Sequence, residues 1–166
     1  MASFSVRPLG DADREAVRRF VTAQWGSEIV ISRGHAYRPH EMSGFVAEDG
    51  DGAWVGLVTY RLAPPDACEV MTLDSLRPGM GIGSALIASV RGAARQAGGR
   101  RLWLITTNDN LNALRFYQKR GFVLAALYPN ALAESRRQKP EIPLVGFDGI
   151  PLRDEIELEM ALTGAG

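Results

Sequence analysis

The apolar positions along the chain change period from segment to segment, and the changes mark its elements. Phe4 to Arg7 suit a short strand, after which Pro8 to Asp13 turn the chain into a helix. On that helix Val17, Phe20, Val21 and Trp25 recur at helical spacing, with Asp13 as the expected N-cap. The stretch SEIVISRGHAYRPHE keeps no steady period and reads as a loop or broken helix. Two strands follow in SGFVAEDGDGAWVGLVTYRL, joined by the Asp-Gly turn of Asp49 to Gly52 and closed off by Pro64, Pro65 and Asp66. ACEVMTLDSL is a fourth strand. A helix then places Ile82, Leu86, Val90, Ala93 and Ala97 on one face and ends at Gly98 and Gly99.

RRLWLITT is apolar at consecutive positions, as in a strand buried on both faces beside a parallel neighbour. NDNLNALRFYQKR forms another helix, capped by Asn108 or Asp109 and stopped by Gly121, and FVLAALY forms a strand. From Pro129 to Pro151 a long connection carries Pro140 and Pro143, which forbid a long helix. DEIELEMAL alternates Ile156, Leu158 and Met160 against Glu155, Glu157 and Glu159, the mark of an antiparallel strand with one wet face. Antiparallel strands come first and strand–helix–strand units later. That order predicts a mixed α/β sheet, not a doubly wound one.

Composition narrows the function classes. The chain has 166 residues, 46% hydrophobic and 23% charged, as expected of one soluble domain spanning residues 1–166. Nineteen basic residues balance nineteen acidic ones and the pI is about 6.7, so no long-range field draws nucleic acid or anionic membrane. Arg136, Arg137 and Lys139 read as a solvated face. Cys68 has no disulfide partner and reads as a small buried residue. His35 and His40 lack metal-ligand spacing, so no metal is expected. The first residues, MASFSVRPLGDADREAV, are charged and without an apolar run, which leads to the expectation of a cytoplasmic protein without a leader or anchor.

RPGMGIGSALI places Gly79, Gly81 and Gly83 at alternate positions just where a helix begins. A strand, a glycine turn and a helix N-terminus together make an anion site, because free amides and the helix dipole face an approach that glycine leaves open. A Walker loop needs Lys-Ser/Thr after its glycines, whereas Ser84 and Ala85 follow Gly83. A dinucleotide fingerprint fails too, since Ala85 is out of register and the preceding strands are antiparallel. A bare tight turn needs one such glycine, not three.

These residues resemble the first motif of the GNAT superfamily of acyl-CoA-dependent N-acyltransferases, Q/R-x-x-G-x-G/A. A second motif of that family, N-x-x-A-x-x-x-Y-x-x-x-G-F, matches Asn110, Ala113, Tyr117, Gly121 and Phe122. Pro78 stands where the first motif has glutamine or arginine, with Arg77 one place early, so one potential amide donor is absent. The resemblance runs from Phe4 to Leu162 and implies an α/β fold with a mixed, mostly antiparallel sheet of about seven strands flanked by helices.

The resemblance also implies acetyl-CoA as acyl donor and an N-acetyltransfer to an amine by direct attack. Its pyrophosphate would lie on the amides of Gly79, Met80, Gly81, Ile82, Gly83 and Ser84. A bulge in the fourth strand, at Thr72, Leu73, Asp74 and Ser75, would hold the thioester oxygen, and Asn110 and Tyr117 would complete the coenzyme site. Tyr117 would protonate the leaving thiolate. Glu69 would serve as base, with Asp74 as its rival. Arg33, His35 and Tyr37, together with the connection from Pro129 to Asp154, would read the acceptor, and Asp154, Glu155 or Glu157 would hold a cationic one. The acceptor itself stays open among small amines, peptide N-termini and lysines, and a homodimer is a permitted assembly. A non-catalytic acyl-CoA-binding module is the alternative function.

Overall fold

The computed structural model describes residues 3–162. A seven-stranded sheet runs in the order β1-β4-β5-β6-β7-β9-β8, with β2 and β3 forming a separate hairpin. The main-sheet strands are β1 (Phe4–Pro8), β4 (Ser43–Asp49), β5 (Trp54–Ala63), β6 (Ala67–Ser75), β7 (Arg101–Thr107), β8 (Val123–Tyr128) and β9 (Glu155–Ala161). The small hairpin joins β2 (Val30–Ser32) to β3 (His35–Tyr37). All neighbours pair antiparallel except β6 and β7. The helices are α1 (Arg14–Trp25), α2 (Ile82–Gln96), α3 (Leu111–Lys119) and α4 (Ala131–Gln138). None of the helices among the described residues is long and apolar enough to cross a membrane.

Strand alternation divides the core between two faces. On one face Val17 and Val21 of α1 meet Val46 and Leu57. On the other, Ile82, Leu86, Val90 and Ala94 of α2 pack on Val58, Cys68, Val70 and Leu102, joined by Tyr117 and Phe122. Ala94, not Ala93 or Ala97, completes the buried stripe, because α2 stops at Gln96 and Ala97 lies beyond its last turn. Cys68 is fully buried in this layer, and burial holds its thiol up at about 12, leaving it inert near neutrality.

Three local expectations are corrected. The irregular stretch after α1 holds the β2–β3 hairpin, whose turn puts Arg33 at φ 51 and Gly34 at φ 78. Asp13 does not cap α1; its carboxylate takes the Arg7 guanidinium and the Gly10 amide instead. Neither Asn108 nor Asp109 caps α3: the Asn110 side chain does, accepting from the Ala113 N–H at 3.1 Å. The long connection after β8 contains the short helix α4, and its return from Leu144 to Leu152 is held by main-chain hydrogen bonds.

Candidate active site

The sheet is split at the one parallel pair among the described residues, β6 and β7. β6 and β7 pair from Ala67–Arg101 to Val70–Leu104 and then part. Beyond that point β6 keeps β5 alone as its neighbour and β7 keeps β9 alone. The parting starts at a bulge: Thr59 faces Thr72 and Tyr60 faces Val70, so Met71 has no partner on β5. The irregularity therefore sits one residue before the expected Thr72–Ser75, which pair regularly. A cavity of about 640 Å³ lies at the split, lined by Met71 to Asp74 on one side and Ile105 to Thr107 on the other.

Glu69 lines this cavity and is 1% exposed. Its two oxygens are separately engaged, one by the Ser32 hydroxyl at 2.6 Å and the other by Arg61 Nε at 2.8 Å. Burial pushes its carboxyl above the ordinary range against both donors, and the charge of Glu155 adds to the rise. Glu155, at the start of β9, is also buried, although strand alternation placed it on the wet face. It accepts the Arg33 N–H at 3.3 Å and lies 3.5 Å from the Arg33 guanidinium, which stacks on the Tyr128 ring. Burial raises its pKa as well. Two carboxylates on different strands thus face one chamber with affinity for a proton or an ammonium group.

Tyr117 enters from α3, wedged edge-on between the rings of Phe116 and Phe122. Seven residues after Asn110, it shares that residue's helix face, and both line the cavity. Desolvation, with the nearby Asp74 carboxylate, raises its pKa further, so the phenol stays protonated across the physiological range. Asp74 is itself raised by burial and accepts the Trp25 indole N–H at 2.8 Å.

The glycine turn serves two purposes. Gly79 and Gly81 adopt φ 82 and 81, conformations L-residues rarely take, and a Cβ on either would point into open space. Gly83 differs. It is helical, and a Cβ there would come within 2.9 Å of the Phe116 ring, so it lets α3 approach α2 closely. Gly81 offers no side-chain cap and the first helical bond runs from Ala85 N–H to Gly81, which leaves the first-turn amides free for an anion. The side chains of Met80 and Ile82 belong to the core, leaving their main chain for this role. Ser84 accepts from Arg120, and Arg77 is tied to Asp49 at 2.7 Å.

Of the other expected site residues, Thr72, Leu73 and Asp74 line the cavity, while Ser75 and the turn from Gly79 to Ser84 lie outside its lining. The Thr72 hydroxyl is already paired with Thr59 at 2.7 Å. Asp154 and Glu157 do not reach the chamber: the first holds the Asn130 amide and Arg153, the second holds Arg101 and the Tyr128 hydroxyl. His35 is exposed on its hairpin and does not line the cavity either. The basic cluster is not a solvated face throughout, since Arg136 bonds three main-chain carbonyls and Lys139 lines the chamber. Sequence reading missed Ser32, Met71, Asp109 and Lys139. Asp109 is buried and accepts the Thr107 hydroxyl and the Phe147 N–H, pinning the Leu144–Leu152 return over the cavity.

Residues 11–122 match the family model described as "Acetyltransferase (GNAT) family". Uncharacterized protein YdhI of Bacillus subtilis is 44% identical over 150 residues, covering 90% of this chain and 92% of that protein. Among solved structures, the IAA acetyltransferase from Bacillus cereus superposes with a TM-score of 0.71 at 20% identity, covering 96% of this chain and 99% of that one. A Bacillus subtilis acetyltransferase solved in complex with CoA gives 0.66 at 15% identity, over 98% and 100% of the two chains. With a split sheet, a glycine turn opening α2 and a matching family model, the chain belongs to the GNAT acetyltransferase family.

Proposed function

We propose that the protein is an N-acetyltransferase moving the acetyl group of acetyl-CoA to a primary amine by direct attack in a ternary complex. One observation carries this reading: Glu69 and Tyr117 line the same cavity where β6 and β7 part. The open gap admits a thioester between the strands, and the free first-turn amides of α2 fit a pyrophosphate. The related structure in complex with CoA supports the same donor here.

The chemistry divides among residues already placed. An alkylammonium has a pKa near 10.4 and must lose a proton before its nitrogen can attack. Glu69, in its ionised form, takes that proton directly or through water. The main chain freed at the Met71 bulge donates to the thioester oxygen as negative charge gathers there. The new C–N bond forms, the C–S bond breaks and the thiolate takes a proton from the Tyr117 phenol, which regains it from the second proton that the acylated nitrogen sheds through water. The single buried thiol of Cys68 suits a reducing, cytoplasmic setting.

Thiol release from acetyl-CoA across a panel of amines, amino acids and peptides tests the reading. Turnover with any acceptor is the expected result. Coenzyme binding without turnover on the whole panel would instead favour a non-catalytic acyl-CoA-binding module.

A further inference from the structure

Lys139 is the basic side chain among the described residues that line the cavity. It follows the last turn of α4, and its Nζ donates to the Ile29 carbonyl at 3.0 Å. No carboxylate of the described residues lies within 4 Å of that nitrogen. An ammonium has three N–H donors, and a partly buried one is costly unless paired with an anion. Burial lowers its pKa, and Glu141, not Glu69 or Glu155, is the carboxylate that offsets the shift. Among the described residues the chamber lining thus carries four carboxylates, Glu69, Asp74, Asp109 and Glu155, and the single cation Lys139.

That cation is held in place. Gln138 Nε2 bonds the Gly34 carbonyl, Lys139 bonds Ile29, and Arg136 bonds Pro143 and Leu152. The first two contacts tie the end of α4 to the segment around β2 and β3, and the Arg136 bonds tie it to the 142–152 return. A single monovalent cation matches a carboxylate; a phosphate dianion would call for further donors.

Building on the acetyltransferase reading above, we propose that Lys139 receives a carboxylate carried by the acceptor, which is a small primary amine of amino-acid type. Its ammonium end would sit toward Glu69 and Glu155, and its carboxylate against Lys139.

The test sets the common α-amino acids, β-alanine and γ-aminobutyrate each against its carboxamide, with acetyl-CoA. The wild type should favour at least one acid over its amide by about tenfold or more in kcat/KM. Lys139→Met should erase that preference through KM with kcat little changed, and Lys139→Arg should restore part of it. Equal use of acids and amides by the wild type would overturn the proposal. So would an equal loss on both in Lys139→Met, which would make the lysine a strap for Ile29. Titration calorimetry of the same pairs on CoA-loaded protein reads the preference without turnover. An acid that binds the wild type but not Lys139→Met would uphold the carboxylate site even if no acceptor is acetylated; no difference in binding between acid and amide would reject it.

Discussion

The regions proposed to hold the coenzyme and the acceptor are built from different material. The proposed coenzyme end, which extends beyond the cavity lining, is main chain: the left-handed turn at Gly79 and Gly81, the open amides of α2 and the freed backbone where β6 and β7 separate. The proposed acceptor end is side chains lining the cavity from distant segments, with Ser32 from β2, Glu69 from β6, Glu155 from β9 and Lys139 after α4. Peptide amides do not titrate, and any sequence that holds the turn presents them. Carboxylates and an ammonium under partial burial do titrate, and one substitution changes what they recognise. Coenzyme affinity should therefore be nearly flat with pH, while turnover and acceptor choice carry the pH dependence.

The largest effect is expected where the two ends meet. Tyr117→Phe removes one oxygen and keeps a ring wedged between Phe116 and Phe122. Fold and coenzyme affinity should survive. Turnover should fall by about 10²- to 10⁴-fold, the usual worth of a positioned proton donor, with acceptor KM little changed. Turnover within a few-fold of wild type, with chemistry rate-limiting, would make Tyr117 a packing residue.

The glycines divide the coenzyme end further. Gly81→Val forces a β-branched residue to φ 81, and its relief is to move the turn out of register. Coenzyme affinity should weaken on the order of tenfold, for a strain of about 1–2 kcal/mol. Gly83→Ala should act differently, since its methyl meets the Phe116 ring and not the anion's path. It should cost about 1–3 kcal/mol of stability in chemical denaturation, with coenzyme affinity in the folded protein nearly kept. Equal loss of affinity in both variants would return Gly83 to the anion site.

The residues proposed for the coenzyme end could be placed on their elements from the sequence because the determinants of those elements are local. The turn glycines, Asn110 and Tyr117 are spaced along single elements, and helical periodicity is enough to place them. The proposed acceptor end was not legible in this way. β2 and β3 are three residues each, too short to show alternation, and Arg33 holds its left-handed backbone beside Glu155, far along the chain. Alternation likewise misplaced Glu155, because the chamber it faces exists only once β6 and β7 have parted. The Met71 bulge depends on the β5 register, and Lys139 looked like a surface charge until α4 packed against Ile29. Such positions are decided by tertiary contact, and neither period nor composition reports it.

The smallest expected effect isolates Glu69. If Glu69 is the base, kcat/KM falls as pH drops through its pKa, so the acid limb of the profile reports that group. Burial holds the limb above the ordinary carboxylate range, while the Ser32 hydroxyl and Arg61 pull it back by stabilising the ionised form. Ser32→Ala removes one of those donors, so the pKa rises and the limb moves to higher pH. Glu69→Gln should remove the limb altogether. Stability supplies a second readout. A carboxyl whose folded pKa lies above its unfolded value keeps its contribution below the unfolded value, near 4.3, and loses it as pH rises through the folded one. Ser32→Ala widens that window, so its loss of stability should be greater at neutral pH than at pH about 4. An unmoved acid limb, with the expected stability change present, would show that Glu69 is a buried structural acid and leave Asp74 as the candidate base.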